Sequence, residues 1–446
     1  MSDNGLKRNL GLVPALAIVI GIVIGAGVFF KPTAVFTATG APGLGLIAWI
    51  LGGIITIAGG LTTAEISAAI PRTGGMVAYL EETYGDMWSF LLGWAQTIIY
   101  FPANVAALAI IFGTQTAALL GMPDSYIVPI AIIVSVFLVI MNLFGSKTGG
   151  AIQTVSTICK LIPLFAIIII GFVSGNGGTA RLLPVVAQNH PITTSLGSAL
   201  VATMFAYDGW INVGTIAGEM KNPKRDLPIA IIGGLSIVMA VYLLINIAYL
   251  FALPASALAA TKTPAAAVAN VLFGPAGGSI ITVGILISVF GTINGYILTG
   301  MRVPYAMAVE NKLPGSKWLS KLSSKSKVPV NSGILLEIIS IVLIFSGKFD
   351  QLTDLLIFVI WIFYVMTFFA VFVLRKKRPD MERPYKVPLY PVVPIIAIIG
   401  GLYIVFNTLF TQPLNAGLGL IVTLIGLPVY MCRKSKFKKV DNGEKN

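Results

Sequence analysis

The chain has 446 residues, of which 56% are hydrophobic and only 11% charged, against about 25% charged in soluble proteins. That composition excludes a soluble globular domain and points to a polytopic membrane protein. A net charge of +13 would suit a nucleic-acid binder, but the basic residues cluster in short loops between apolar segments, which is the pattern of a membrane protein.

A membrane-crossing helix needs about 20 apolar residues. Twelve segments qualify: 10–37, 44–69, 86–118, 126–144, 149–173, 195–218, 228–252, 278–308, 329–346, 351–374, 389–410 and 414–432. They are numbered spans 1 to 12. The polar lead before Leu10 is short, so span 1 is expected to be retained rather than cleaved. Span 3 is long, and Pro102 is expected to kink it. With residues 1–9 taken as inside, 24 of the 30 lysines and arginines fall in inside segments, three (Arg181, Lys262, Lys348) in outside loops and three (Lys31, Lys160, Arg302) in spans. This asymmetry predicts both termini in the cytoplasm and supports an even number of spans.

Span 1 carries Gly21, Gly25 and Gly27 within seven positions. Each weakens a helix by roughly 1 kcal/mol. An unpaired backbone group in a bilayer costs several kcal/mol, so a break at this depth needs a reason. Close helix packing by small residues is one. A ligand site is the other. An outer half-helix starting near Ala26 would aim its free N–H groups at a carboxylate. An inner half ending near Ile24 would leave carbonyls for a cation. Together they would receive a zwitterion. Span 6 is interrupted as well, by Phe205-Ala206-Tyr207-Asp208-Gly209-Trp210. Its freed carbonyls near Phe205 and Asp208 suit an ammonium, and Phe205 is placed to close over a substrate. Asp208 is either a helix cap or a direct contact for substrate or proton, as intramembrane carboxylates are by default. Breaks in spans 1 and 6 fit an inverted five-plus-five repeat, the usual sequence pointer to a transporter site. Spans 1–5 (10–173) would form the first repeat, spans 6–10 (195–374) the second, and spans 11–12 (389–432) would lie outside it.

Lys160 lies 11 residues into span 5, about 16 Å along a helix. Its stem cannot snorkel that far, so it faces protein or water, either as a structural ammonium or as a fixed charge coupled to movement. Tyr242 puts a hydroxyl near the middle of span 7. Glu65 and Glu219, near span ends, are expected to pair with loop cations, and Arg302 to be an anchor rather than a ligand. His190 reads as a solvated loop residue. Residues 264–271 read as a short amphipathic helix in the loop before span 8. Gly52-Gly53 and Gly59-Gly60 in span 2 read as packing. Neither Cys159 nor Cys432 implies a disulfide or zinc site.

The Gly21-x3-Gly25-Ala26-Gly27-Val28-Phe29 and Phe205-to-Trp210 runs are joined by three others. These are Glu65-x5-Pro71-Arg72-Thr73-Gly74-Gly75-x3-Tyr79, Gly218-Glu219-Met220-Lys221-Asn222-Pro223-Lys224-Arg225-Asp226-Leu227-Pro228, and Arg383-Pro384-Tyr385-Lys386-Val387-Pro388. Together they resemble the amino acid–polyamine–organocation (APC) superfamily, and within it a bacterial form of the L-amino acid transporter (LAT) branch. The resemblance implies an all-α, twelve-helix membrane protein of LeuT-type fold with helices 1 and 6 unwound, working by alternating access. It further implies sodium-independent exchange of neutral L-amino acids. Backbone at Gly25, Ala26 and Gly27 would hold the substrate carboxylate. Carbonyls at Ile24, Phe205 and Asp208 would hold the amino group, with Ala206, Tyr207 and Gly209 completing the site. Phe205 would be the external gate. Lys160 would fill the volume a sodium ion takes in sodium-coupled relatives, and Tyr242 would join it in positioning spans 1 and 8. Asp208 departs from relatives with a small residue there. The loop 121–126 lacks the cysteine through which animal LAT-type chains join a glycoprotein partner, so no disulfide-linked subunit is expected. The expected protein is a monomer with no cofactor, no metal and no nucleic-acid partner.

An intramembrane enzyme would need a nucleophile–base pair or metal cluster in the spans, and a channel a ring of charge or carbonyl filter; neither is present in the pattern. The aromatic, neutral surroundings favour alanine, serine, cysteine or glycine as substrate. Asp208 keeps a basic amino acid or polyamine, or proton-coupled transport, as the alternative.

Overall fold

The computed structural model describes residues 8–433 apart from 176, 189–190, 262 and 346–348. The readings of His190, Lys262 and Lys348, and of the terminal lysines before Arg8 and after Arg433, lie outside the described residues. Within them the chain is helical throughout. The only strand-like pairing among the described residues is an isolated parallel bridge between Leu10 and Met220.

Among the described residues, ten helical stretches are long and apolar enough to cross a membrane: Leu12–Thr39, Pro42–Ala69, Asp86–Leu120, Asp124–Leu143, Ser146–Ser174, Pro223–Ala252, Ala276–Val309, Leu355–Lys377, Val392–Thr411 and Pro413–Arg433. They match ten of the twelve expected spans. Span 9 is a shorter helix, Val330–Ile344. Span 6 is divided into an α-helix, Ile192–Ala206, and a 3₁₀ segment, Trp210–Glu219. The loop before span 8 holds two short helices rather than one, Ala255–Ala260 and Pro264–Phe273.

Local chemistry accounts for many of the boundaries. Proline opens the helices at Pro42, Pro223, Pro264 and Pro413, where its missing N–H has no helical partner to lose. Gly40 ends span 1 in the left-handed conformation (φ 60°), which a glycine adopts without a Cβ penalty. Pro102 also has a local effect. It lacks an N–H and its ring crowds the carbonyl four residues back, and the turn just before it, Gln96–Tyr100, is a π-helix.

Span 5 shows how faces are divided. Val155, Ile158, Ile162, Phe165, Ile169 and Phe172 recur every three or four residues and are all exposed, forming a stripe for lipid. Gln153, Thr157, Lys160, Leu164 and Gly171 are buried on the opposite face. The glycine pairs of span 2 do pack helices. A Cβ on Gly52 would lie 2.7 Å from Thr203 Oγ1, on Gly53 2.8 Å from Met239 Cγ, on Gly59 2.7 Å from Phe368 Cζ and on Gly60 2.5 Å from Leu235 Cδ1. Spans 6, 7 and 10 therefore approach span 2 where those side chains are missing.

Candidate functional site

Span 1 breaks where its glycines fall. The inner half-helix is Leu12–Val23 and the outer one Gly27–Thr39. The Gly25 N–H turns back onto Val23 O at 2.8 Å. The last carbonyls of the inner half lose their helical donors, and neighbouring spans supply replacements. Lys160 Nζ donates to Gly21 O at 2.7 Å and to Ile24 O at 2.6 Å, and lies 3.2 Å from Thr292 Oγ1. Thr292 Oγ1 is also 3.0 Å from Gly21 O, and Ser288 Oγ donates to Ile24 O at 3.2 Å. One turn earlier, Ala17 O accepts from Gln153 Nε2 and Thr157 Oγ1. Gln153, Thr157 and Lys160 stand at i, i+4 and i+7 on span 5, one continuous face. Lys160 is 0% exposed and satisfied by carbonyls. The Tyr242 hydroxyl lies 2.7 Å from Val23 O and 2.8 Å from Ala206 O, its one proton shared between the two breaks. It links spans 1 and 6, where the resemblance implied 1 and 8.

On the other side of the break, Ala26, Gly27 and Val28 carry the first amides of the outer half-helix, the positions without an intrahelical acceptor. Gly27 meets span 6 directly, since a Cβ there would lie 2.5 Å from Ala206 Cα. Gly209 holds the second break with φ 98°, and a Cβ on it would lie 2.3 Å from Ile22 Cγ2. Both readings of the span 1 glycines are therefore compatible: the close approach of backbones is what brings the two breaks together. Gly27→Ala is expected to push the breaks apart and to reduce transport at least about tenfold with the protein still folded, as read by labelled uptake beside a size-exclusion profile. Transport at the wild-type rate would separate this contact from function.

Asp208, 3% exposed, is held by three tyrosines from three other spans. Tyr100 (span 3) donates to Oδ2 at 2.7 Å, Tyr296 (span 8) to Oδ2 at 3.3 Å and Tyr364 (span 10) to Oδ1 at 2.8 Å. Asn212 Nδ2 supports Tyr100 Oη at 3.1 Å. Between the breaks lies a cavity of about 10 Å³, lined by Ile22, Val23, Gly25, Ala26, Gly27, Asn104, Leu108, Phe205, Asp208, Thr292 and Tyr296. That is room for about one water, so an amino acid enters only if a wall moves. Phe205 is the half-buried member of the wall, and Lys31 Nζ sits 4.7 Å from its ring centroid.

Of the residues singled out in the sequence, Gly25, Ala26, Gly27, Phe205 and Asp208 meet at this cavity. Ile24, Ala206, Tyr207 and Gly209 shape the breaks but do not line it; Tyr207 donates to Trp49 O at 3.2 Å. Lys160 and Tyr242 stand behind it. The sequence reading did not single out Gln153, Thr157, Ser288 and Thr292, whose polar i, i+4 spacing in apolar helices was a usable signal. It also missed Tyr100, Tyr296, Tyr364 and Lys31, which only the folding of distant spans brings near.

The ends of the helices are tied by ion pairs. Glu65 takes Arg375 through two hydrogen bonds, 2.9 and 2.7 Å, and Arg383 lies 3.5 Å away. These are cations at and beyond the end of span 10, as expected. Glu219 differs from expectation: its partner is Arg302 from the end of span 8, not a loop cation. Arg302 Nε lies 2.6 Å from Oε1 and Nη2 3.2 Å from Oε2, with both side chains 0% exposed. Ser146 donates to the same carboxylate, and Leu10 N–H to Glu219 O at 3.0 Å. The starts of spans 1 and 5 and the ends of spans 6 and 8 thus meet at one buried pair.

Residues 10–430, nearly the whole chain, match the amino acid permease family model. The chain belongs to that family. The permease is 44% identical to the serine/threonine exchanger SteT of Bacillus subtilis (strain 168) over 436 residues, covering 97% of this chain and 98% of the relative. It is 30% identical to the human cystine/glutamate transporter (95% and 85% covered) and 31% identical to the human large neutral amino acids transporter small subunit 2 (95% and 80%). The permease is thus a multi-pass membrane transporter for amino acids with LAT-type relatives, as its motifs implied, and not an enzyme.

Proposed function

We propose that the permease exchanges small neutral L-amino acids across the cell membrane by alternating access, without sodium. The observation that carries this reading is the meeting of two broken helices at one small cavity, with free amides on one side and carbonyls on the other. Helix N-terminal amides favour the α-carboxylate and exposed carbonyls the α-ammonium. Backbone at Gly25, Ala26 and Gly27 takes the former, and carbonyls at Phe205 and Asp208 the latter; the Ile24 carbonyl, expected to share that role, is instead taken by Lys160 and Ser288. Phe205 closes the outer side. The Lys160 ammonium already occupies the carbonyls of Gly21 and Ile24, where sodium-coupled relatives place their ion by the resemblance, and this supports independence from sodium.

The neutral substrate is supported by Asp208. Its carboxylate lines the cavity, but both oxygens already accept tyrosine hydroxyls, so a basic side chain would have to displace them. A small side chain is supported by the serine/threonine exchanger among the relatives. The relatives near 30% identity are named for cystine, glutamate and large neutral substrates, so side-chain choice varies within this architecture. The same reading carries twelve spans in two inverted repeats, 10–173 and 195–374, followed by spans 11–12, both termini in the cytoplasm, and a monomer without a disulfide-linked subunit.

The test is transport by protein reconstituted in liposomes, with labelled L-serine or L-alanine outside and unlabelled amino acid, or none, inside. Entry is expected to need internal amino acid and to be unchanged when choline replaces sodium. Entry indifferent to internal amino acid would sink exchange. A requirement for a pH gradient would move the reading to proton coupling. Transport of arginine in place of serine would overturn the neutral substrate.

A further inference from the structure

Three buried amides join four spans behind the transport cavity. Asn142 (span 4), Asn294 (span 8) and Gln153 (span 5) are 1%, 0% and 0% exposed, and none of the three is ionisable. Asn142 Nδ2 donates to Asn294 Oδ1 at 2.9 Å, Asn294 Nδ2 to Gln153 Oε1 at 3.0 Å, and Gln153 Nε2 to Ala17 O of span 1 at 3.2 Å. A side-chain amide can be turned over, exchanging its acceptor oxygen for its donor nitrogen. Here a backbone carbonyl, which only accepts, decides each orientation. Asn142 Nδ2 also donates to Leu138 O at 2.9 Å and Asn294 Nδ2 to Gly149 O at 3.0 Å, while Gln153 is oriented by Ala17 O itself. The run therefore has one direction, from Asn142 Nδ2 to Ala17 O. Two missing side chains make room for it: a Cβ on Gly149 would overlap Asn142 Oδ1, and one on Gly21 would overlap Gln153 Nε2.

We propose that Asn294 is a positioning residue for transport, which sets the orientation of the Gln153 amide and so the hold of spans 4, 5 and 8 on the inner half of span 1. On the alternating-access reading, on which this rests, the inner half Leu12–Val23 must leave its neighbours for the cavity to open inward. Without Asn294, the Gln153 amide turns over freely and presents Oε1 to Ala17 O, two acceptors that repel. Thr157 Oγ1 stays on Ala17 O, and Lys160 Nζ on Gly21 O and Ile24 O, so the half-helix is loosened rather than released. One neutral hydrogen bond at this place corresponds to about a fivefold shift in the population of the inward-open form. Amides suit the task in apolar surroundings. Their bonds break and reform as the half-helix moves, and no unpaired charge is left in the membrane.

The experiment places a thiol on the inner half of span 1 where it lines the cavity, Val23→Cys, in the full chain with Cys159→Ser and Cys432→Ser. Labelling by a membrane-impermeant methanethiosulfonate is followed in inside-out and in right-side-out membrane vesicles, with and without L-serine. Asn294→Leu is expected to speed labelling about fivefold in inside-out vesicles and not to speed it in right-side-out ones. Gln153→Met should do the same, and Asn294→Leu added to Gln153→Met should change nothing further. Where Asn294→Leu does not fold, by size-exclusion profile, Asn294→Ser carries the same expectation, its side chain being too short to reach Gln153. Equal acceleration from both sides would show a general loosening of the fold and overturn the proposal. So would an Asn294→Leu effect that persists in full beside Gln153→Met, or serine-sensitive labelling that neither variant at position 294 alters. Labelling that L-serine never alters in the Val23→Cys protein itself would instead sink the transport reading, and the proposal with it.

Discussion

Lys160→Ala is expected to lower transport about a hundredfold while leaving a folded protein. The ammonium makes two short hydrogen bonds, to Gly21 O and Ile24 O, and bonds to a charged donor contribute about 1.5–3 kcal/mol each. A loss of about 2.7 kcal/mol in the organisation of the broken segment corresponds to about a hundredfold in rate. The fold survives because neither carbonyl is left without a donor. Thr292 Oγ1 still reaches Gly21 O, and Ser288 Oγ still reaches Ile24 O. The check is paired: liposome exchange for turnover, and the thermal midpoint in detergent for folding. Wild-type turnover in Lys160→Ala would remove the lysine from the transport cycle. Loss of the folded protein would make it a structural cation only.

Glu219→Gln acts differently, on stability first. It leaves the Arg302 guanidinium, 0% exposed, without its counter-charge. Removing one partner of a buried pair costs about 3–5 kcal/mol, while replacing both by apolar groups of similar volume is often neutral. The single variant is therefore expected to show a marked fall in thermal midpoint and in yield of monodisperse protein. Glu219→Leu combined with Arg302→Met should recover most of both. If the single variant is as stable as wild type, the pair is not the buried closure described. If the double variant is stable but inactive, the charges serve the transport cycle rather than the fold.

The parts of this molecule that were legible in the sequence are those written in composition and local pattern. Three glycines in seven residues gave the break in span 1, and Asp208-Gly209 gave the break in span 6. An ammonium too deep to snorkel marked Lys160 as facing protein. What was hidden required knowing which spans become neighbours. Tyr100, Tyr296 and Tyr364 are separated by 196 and 68 positions, and nothing local to any of them points to Asp208. Span 9 was visible as an apolar run of 18 residues, yet its helix covers only Val330–Ile344, because hydrophobicity does not mark where a helix is capped. The second half of span 6 was apolar enough to pass for a regular helix. It is wound as a 3₁₀ segment, with nine of its ten residues buried.

The π turn at Gln96–Tyr100 has a consequence for how this chain tolerates change in length. Such a turn holds one residue more than an α-turn, and each residue rotates a helix by about 100°. The two halves of span 3 are therefore set in a phase that a regular helix would not give. One half presents Trp94, whose Nε1 donates to Val422 O of span 12 at 3.1 Å. At the turn and beyond it, Tyr100 reaches Asp208 and Asn104 lines the cavity. Deleting one residue from 96–100 would barely shorten the span, yet it would turn either Trp94 away from span 12 or Tyr100 away from Asp208. The extra residue is a register mark, and it dates the two faces of span 3 as a matched set that insertions and deletions must respect.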